Sequence, residues 1–196
     1  MQEPLKILLP KFIQDLDDKG RSPSTILAYR ADLEQLIEFL QKRNKVLGDD
    51  IRHDDIESFR DALLNQKYTT KSASRKLNAV KTFFRWLTSE GLANFDPSKD
   101  VTHPQIDSSA PKFLSPLEYR ALRDVVKTDN RIAAIVELIL QTGMRISEVA
   151  GLKNENIKTD SVTIEKYATQ PERTIPFNGP AKSALNNYLS LRPNTD

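Results

Sequence analysis

The stretch Leu140-Gln-Thr-Gly-Met-Arg-Ile-Ser-Glu-Val-Ala-Gly-Leu152 decides the reading of this chain. It follows an apolar run, Ile132-Ala-Ala-Ile-Val-Glu-Leu-Ile-Leu140, and breaks it at Thr142-Gly143, so one helix is expected over about 130–141 and another from Ile146 to Leu152. Arg145 then stands at the start of the second helix, where free backbone N–H groups and the positive end of the dipole favour an anion. A cation works against the macrodipole there. Its presence is easier to understand with a negative partner, and two are open: Glu148 three residues on, or a bound phosphate.

Downstream, the apolar period changes to two in Ser161-Val-Thr-Ile-Glu165 and again in Arg173-Thr-Ile-Pro-Phe177, predicting two short strands of a hairpin or small sheet. A last helix over about 180–191 places Ala181, Leu185, Tyr188 and Leu189 on one side. Upstream, Ser115-Pro-Leu-Glu118 has the form of a capping box with proline at the first helical position, which opens a helix over about 116–127. Before it the pattern lapses: Pro97, Pro104, Pro111 and Pro116, with Asp, Ser and Thr between them, disfavour helix. Residues 96–115 therefore read as a linker between a first domain, 1–95, and a second, 116–196.

The first domain reads as successive amphipathic helices. Leu5, Leu8, Leu9, Phe12, Ile13 and Leu16 recur at helical intervals from Leu5 to Lys19, and Gly20 suits a left-handed terminator. Ser22 and Pro23 open a second helix reaching Asn44, with Ile26, Tyr29, Leu33, Leu36, Ile37 and Leu40 on one stripe. A third starts near Asp54 in an acidic run suited to a helix N-terminus and buries Ile56, Phe59 and Leu63. The fourth spans about Thr70 to Glu90 and closes at Gly91.

Composition sets the outer limits. The 196 residues carry 29 Lys and Arg against 27 Asp and Glu, a formal net charge of +2, so a polyanion has to be met by a local patch. With no cysteine there is no disulfide, thiolate nucleophile or cysteine-held metal, and the isolated His53 and His103 do not suggest a metal centre. The longest apolar stretch is short and contains Glu137, and the N-terminus lacks a basic segment followed by an apolar one. A soluble cytoplasmic protein without a membrane span or metal is expected.

The local patch lies between Lys67 and Leu87, where Lys67, Lys71, Arg75, Lys76, Lys81 and Arg85 meet no acidic residue. On a helix, Ala73, Leu77, Val80, Phe84 and Leu87 form one stripe; Lys71, Arg75, Asn78, Thr82 and Arg85 form another, roughly opposite. Lys76 joins this set by charge. Arg and Lys neutralise phosphates, Arg can bridge guanine acceptors, and Asn can pair with adenine when a helix enters the major groove. A solvated helix face explains the same charges, and from charge alone it is the simpler reading. Phe83 and Trp86 are expected to cover the core.

Thr142-Gly-Met-Arg-Ile-Ser-Glu-Val-Ala-Gly-Leu152 resembles the first catalytic-arginine box of the tyrosine recombinases, the phage-integrase and Xer-like site-specific DNA recombinases. The resemblance extends to Ser24-Thr25, Tyr29, Asp32-Leu33 and Phe39-Leu40, to Ser74-Arg75-Lys76-Leu77, to Phe83-Phe84-Arg85-Trp86-Leu87 and Gly91, and to Phe113-Leu-Ser-Pro-Leu-Glu118. It implies a mainly α fold: a four-helix, SAM-like core-binding domain, then the first part of an α+β catalytic domain with a short β-hairpin. It implies double-stranded DNA as partner, a tetrameric synapse of recombinase subunits, and no cofactor.

By the same resemblance Arg145 matches the arginine on the scissile phosphate, Glu148 the acidic residue that supports it, and Lys166 the hairpin lysine that protonates the leaving 5′ oxygen. The usual Gly-Lys-Gly surroundings are replaced by Glu165-Lys166-Tyr167-Ala168, and Lys158 is the runner-up. The family's His-x-x-Arg box and terminal tyrosine nucleophile have no match, and Tyr167 and Tyr188 lie outside the nucleophile's context. The expectation is a recombinase chain truncated within its catalytic domain, acting in site-specific recombination through a 3′-phosphotyrosine intermediate but inactive by itself. Two alternatives stay open: a non-catalytic DNA-binding regulator derived from an integrase, and a helical interaction domain without nucleic-acid affinity.

Overall fold

The computed structural model describes residues 3–105, 110–166 and 170–192, which fall into two compact units, one up to Ser109 and one from Ala110. The first contains α1 (Leu5–Asp18), α2 (Pro23–Gln41), α3 (His53–Asn65) and α4 (Thr70–Ser89). In the second lie α5 (Pro116–Val126), α6 (Asn130–Thr142), α7 (Ile146–Ala150), β1 (Ser161–Ile164), β2 (Arg173–Pro176) and α8 (Gly179–Leu191). Among the described residues the chain is thus mainly helical with one antiparallel pair of strands, the fold class expected. Among the described residues no helix is long and apolar enough to cross a membrane.

Helix starts follow the local chemistry. Ser22 Oγ accepts from Thr25 N at 3.2 Å with Pro23 at the first helical position, and Thr69 Oγ1 accepts from Ser72 N at 3.2 Å at the head of α4. At α5 the capping box is complete: Glu118 N donates to Ser115 Oγ (3.3 Å) and Ser115 N to Glu118 Oε2 (2.8 Å). Gly143, at φ 69°, closes α6 in the left-handed conformation that a side chain would strain. Two ends differ from expectation. Helix α2 stops at Gln41 because the chain turns through Asn44 at φ 58°, and α7 stops at Ala150 because Gly151 leaves the helical region.

In the first unit the four helices close on one apolar core. Phe12, Phe59, Phe83 and Phe84 are fully enclosed with Leu5 and Leu8 of α1 and Leu33, Leu36 and Leu40 of α2, and the ring centroids of Phe12 and Phe83 lie 5.2 Å apart. Trp86 packs on the same cluster, so Phe83 and Trp86 cover the core. The core continues past Gly91 into the stretch expected as linker: Val101 is buried in it and Ser98 is fully enclosed. Lys81 Nζ donates to Lys99 O (3.1 Å), Arg60 Nη1 to Thr102 O (3.3 Å), and Ser74 Oγ lies 2.9 Å from His103 Nδ1. Pro97 and Pro104 disfavour helix here, but they do not prevent a strap, a turn over 97–100 and then irregular chain, from packing on α3 and α4.

The second unit has two small buried clusters bridged by the half-buried Val149, Leu152, Ile157 and Phe177. One small cluster joins Leu138 of α6 to Ala181 and Leu185 of α8; another joins Met144 to Val162 and Ile164 of β1. Strand register pairs Val162 with Ile175 and Ile164 with Arg173. Buried Glu137, the charge inside the apolar run, accepts from Arg123 and from Gln141 Nε2 (3.1 Å); Gln141 also donates to Tyr119 Oη (2.8 Å). A buried carboxylate with these partners is tolerated; an unpaired one would not be.

Candidate nucleic-acid interface

The buried stripe of α4 comprises Ala73, Leu77, Val80, Phe84 and Leu87, so the opposite side of the helix faces solvent. Lys71, Arg75, Asn78 and Arg85 are exposed there, and among the described residues Lys71 and Arg85 make no ion pair. Their positions, at intervals of three, four and seven, form one line of donors along the helix.

Two residues of the expected set behave differently. Lys76 is buried, with Nζ 2.8 Å from Asp32 Oδ1 and 5.2 Å above the Tyr68 ring, so it does not belong to the solvent face. Its spacing gives the reason: Lys76 is three residues after Ala73 and four before Val80, on the flank of the buried stripe. Thr82 is half-buried and its hydroxyl donates back to Asn78 O at 2.8 Å, which spends the proton a phosphate would need. Arg75 keeps its place with a partner the sequence reading missed. Its guanidinium donates through both Nη atoms to the two carboxylate oxygens of Asp32, which is itself only 2% exposed. The signal was present in α2, where Asp32 sits three residues after Tyr29 and four before Leu36, an acid within an apolar stripe.

In the second unit, Arg145 and Glu148 lie at the start of α7. Arg145 N donates to Glu148 Oε2 (2.8 Å) and Arg145 Nη1 to Glu148 Oε1 (3.2 Å). The carboxylate thus answers both the orphan backbone donor of the helix start and the guanidinium. Arg173, in β2, reaches the same group, Nη2 to Oε2 at 2.8 Å. Donation from the Arg145 backbone, aided by Arg173, holds the Glu148 carboxyl below its ordinary range despite burial. The Arg145 side chain is 61% exposed against 13% for Glu148, so the acid is the anchor and the arginine is presented to solvent. Arg173 was read only as a strand residue, because a partner 25 positions away leaves no local spacing to find.

Lys166 is exposed just beyond β1 and, among the described residues, makes no ion pair; its neighbours Tyr167 to Thr169 lie outside the described residues. Preceding it, Glu165 is tied to Lys153 Nζ at 3.0 Å and Asn156 Nδ2 at 3.3 Å. Lys158 is exposed in the turn before β1. Among the described residues no group of three or more His, Asp or Glu could hold a metal ion. Taken chemically, the first unit presents a row of donors and the second an anchored, outward-facing guanidinium, both suited to oxyanions.

Comparison with known proteins gives two family matches: the phage integrase N-terminal SAM-like domain over residues 9–91, and the phage integrase family over residues 112–196. The chain is similar to tyrosine recombinase XerC of Roseiflexus castenholzii (strain DSM 13941 / HLO8), 33% identical over 184 residues, covering 91% of this chain and 59% of that protein. Against tyrosine recombinase XerC of Roseiflexus sp. (strain RS-1) it is 34% identical over 178 residues, covering 88% and 57%. It therefore spans less than two thirds of these relatives. Among solved structures, the lambda integrase dimer (residues 75–356) bound to a COC′ core site aligns with a TM-score of 0.78 at 16% identity, over 96% of this chain and 70% of that one. A lambda integrase tetramer bound to a Holliday junction aligns at 0.79 and 16%, over 96% and 57%. At such identities the likeness is one of fold.

Proposed function

This chain belongs to the phage integrase family of tyrosine recombinases, and on that premise we propose that its two units hold double-stranded DNA for site-specific strand breakage and rejoining. In the first unit Lys71, Arg75, Asn78 and Arg85 meet the duplex, with Lys71 and Arg85 neutralising phosphates. In the second, Arg145 clamps the phosphate that reacts.

The observation that carries this reading is the pairing of a buried-side anchor with an exposed cation: Glu148 fixes Arg145 from behind and Arg173 holds Glu148 in turn. Attack on a phosphodiester gathers negative charge on the equatorial oxygens, and a guanidinium already oriented by its neighbours stabilises that charge with little reorganisation. Lys166 is placed, by this proposal, as the acid that delivers a proton to the departing 5′ oxygen as the oxygen of a nucleophilic tyrosine, for which these 196 residues offer no match, forms its bond to phosphorus. The phosphotyrosine link conserves the bond energy for rejoining, so no nucleotide cofactor is consumed. DNA-bound relatives in dimeric and tetrameric form support duplex DNA as substrate and a multimeric synapse as the working assembly. By the same proposal the chain acts on DNA in the cytoplasm.

The test is duplex binding by fluorescence anisotropy over a salt series, with wild type and Arg145→Ala. The wild-type association constant should fall linearly with salt on a double-logarithmic plot, and Arg145→Ala should lower the slope by about one with an affinity loss of less than about tenfold. Absence of any salt-sensitive binding would favour a helical interaction domain instead.

A further inference from the structure

The Asp32 arrangement is hard to reconcile with Arg75 as a plain phosphate contact. An arginine that serves only to neutralise phosphates does best when its charge is unopposed and its stem is free. Arg75 instead has both Nη atoms on a carboxylate that is 2% exposed, and that carboxylate cannot follow it outward. Asp32 is also held by buried Lys76 at 2.8 Å, and Lys76 lies over Tyr68, whose hydroxyl accepts from Gln35 Nε2 at 3.4 Å. The cost is long-range attraction: two cations and one anion leave the group with a single net positive charge. What is retained is geometry. A guanidinium has five N–H donors; two go to Asp32, and three remain on a side chain that is 55% exposed between Lys71 and Asn78. A fork held in one plane loses less freedom on docking and discriminates more sharply between acceptor patterns.

We infer that Asp32 is a positioning residue that makes Arg75 a reader of base identity, guanine O6 and N7 by their acceptor geometry, instead of a neutraliser of phosphate. The inference rests on the DNA-interface reading above. Asp32 acts only through Arg75, so its removal releases charge to the surface while loosening the fork.

The full chain would be incubated with a pool of duplexes with a randomised centre, the bound fraction sequenced, and affinity for sheared genomic DNA followed over a salt series. Wild type should enrich guanine at a defined position. Asp32→Asn should erase that enrichment while steepening the salt slope by about one, because one more cation becomes available to phosphates. A role confined to tying α2 to α4 would leave both readouts unchanged in the folded protein, and that result would overturn the inference. Should Asp32→Asn fail to fold, Arg75→Lys decides, since the position is exposed: it keeps the charge but not the fork, so the slope should hold while enrichment falls about tenfold. Undiminished enrichment in Arg75→Lys, or a wild type with no base preference, overturns the inference and leaves DNA binding intact. A wild type with no salt-dependent binding overturns the DNA reading itself, a separate failure.

Discussion

The two units solve the same problem with different means. In the first, four helices enclose one core in which Phe12, Phe59, Phe83 and Phe84 are all fully buried. In the second, few apolar residues are fully buried, in two small clusters joined through half-buried Val149, Leu152, Ile157 and Phe177; Phe113, Leu117 and Val125 stay exposed, and much of the cohesion is polar, from Arg123–Glu137–Gln141 to Arg145–Glu148–Arg173. Burial scales with enclosed area and tolerates changes of pH and salt; charged networks do not. The donor row of α4 therefore sits on the firmer scaffold, while the arginine cluster depends on its own electrostatics.

This contrast can be broken most directly by unfolding. Trp86, the single tryptophan, lies in the first unit, so its fluorescence reports that unit whereas far-UV circular dichroism reports both. With denaturant, helical signal should begin to fall before Trp86 fluorescence changes. Phe83→Ala should cost about 3–5 kcal/mol and shift the fluorescence transition together with the first unit's share of the helical signal, leaving the second unit's share where it was. Coincident transitions in wild type would remove the distinction between the units.

The helices and their buried faces were legible because each encodes itself locally, in three-and-four spacing, a cap and a stop. Gly143 and Ser115–Glu118 behaved as their local chemistry requires. What could not be read was anything set by a distant partner. Arg173 joins Glu148 across 25 positions, and Asp32 meets Arg75 and Lys76 across 43 and 44. Only the misfit of Asp32 within an apolar stripe announced such a pairing, and the same logic, applied to Lys76, would have taken it off the solvent face.

Glu148→Gln sharpens the comparison at the next level. Removing the charge that joins Arg145 and Arg173 should destabilise the second unit by about 1–2 kcal/mol, a figure discounted for the exposure of Arg145. Because the folded carboxyl is held below its ordinary range, its contribution is present above that range and is lost as pH falls through the folded value. The acid loss of helical signal should therefore be shallower in the variant. An equally steep loss would show that other carboxylates control it.

A smaller effect belongs to the strap on α4. Burial, reinforced by Lys81, lowers the pKa of His103, whose Nδ1 lies 2.9 Å from Ser74 Oγ. Its contribution to stability is complete above the unfolded value near 6.5 and declines as pH falls below it toward the folded value. As pH falls through the unfolded value near 6.5 the first unit should lose a little stability, and His103→Gln should flatten that drift in a Trp86-monitored titration. A drift unaltered by the substitution would assign it elsewhere.

Contact between the exposed face of α4 and DNA is read out by the salt dependence of duplex binding in Lys71→Ala/Arg85→Ala against wild type. Neither side chain has an ion-pair partner among the described residues, so the fold should be unaffected. The double variant should show a slope shallower by about two and a loss of affinity of about tenfold or more at low salt. Wild-type affinity with an unchanged slope in the double variant would contradict it.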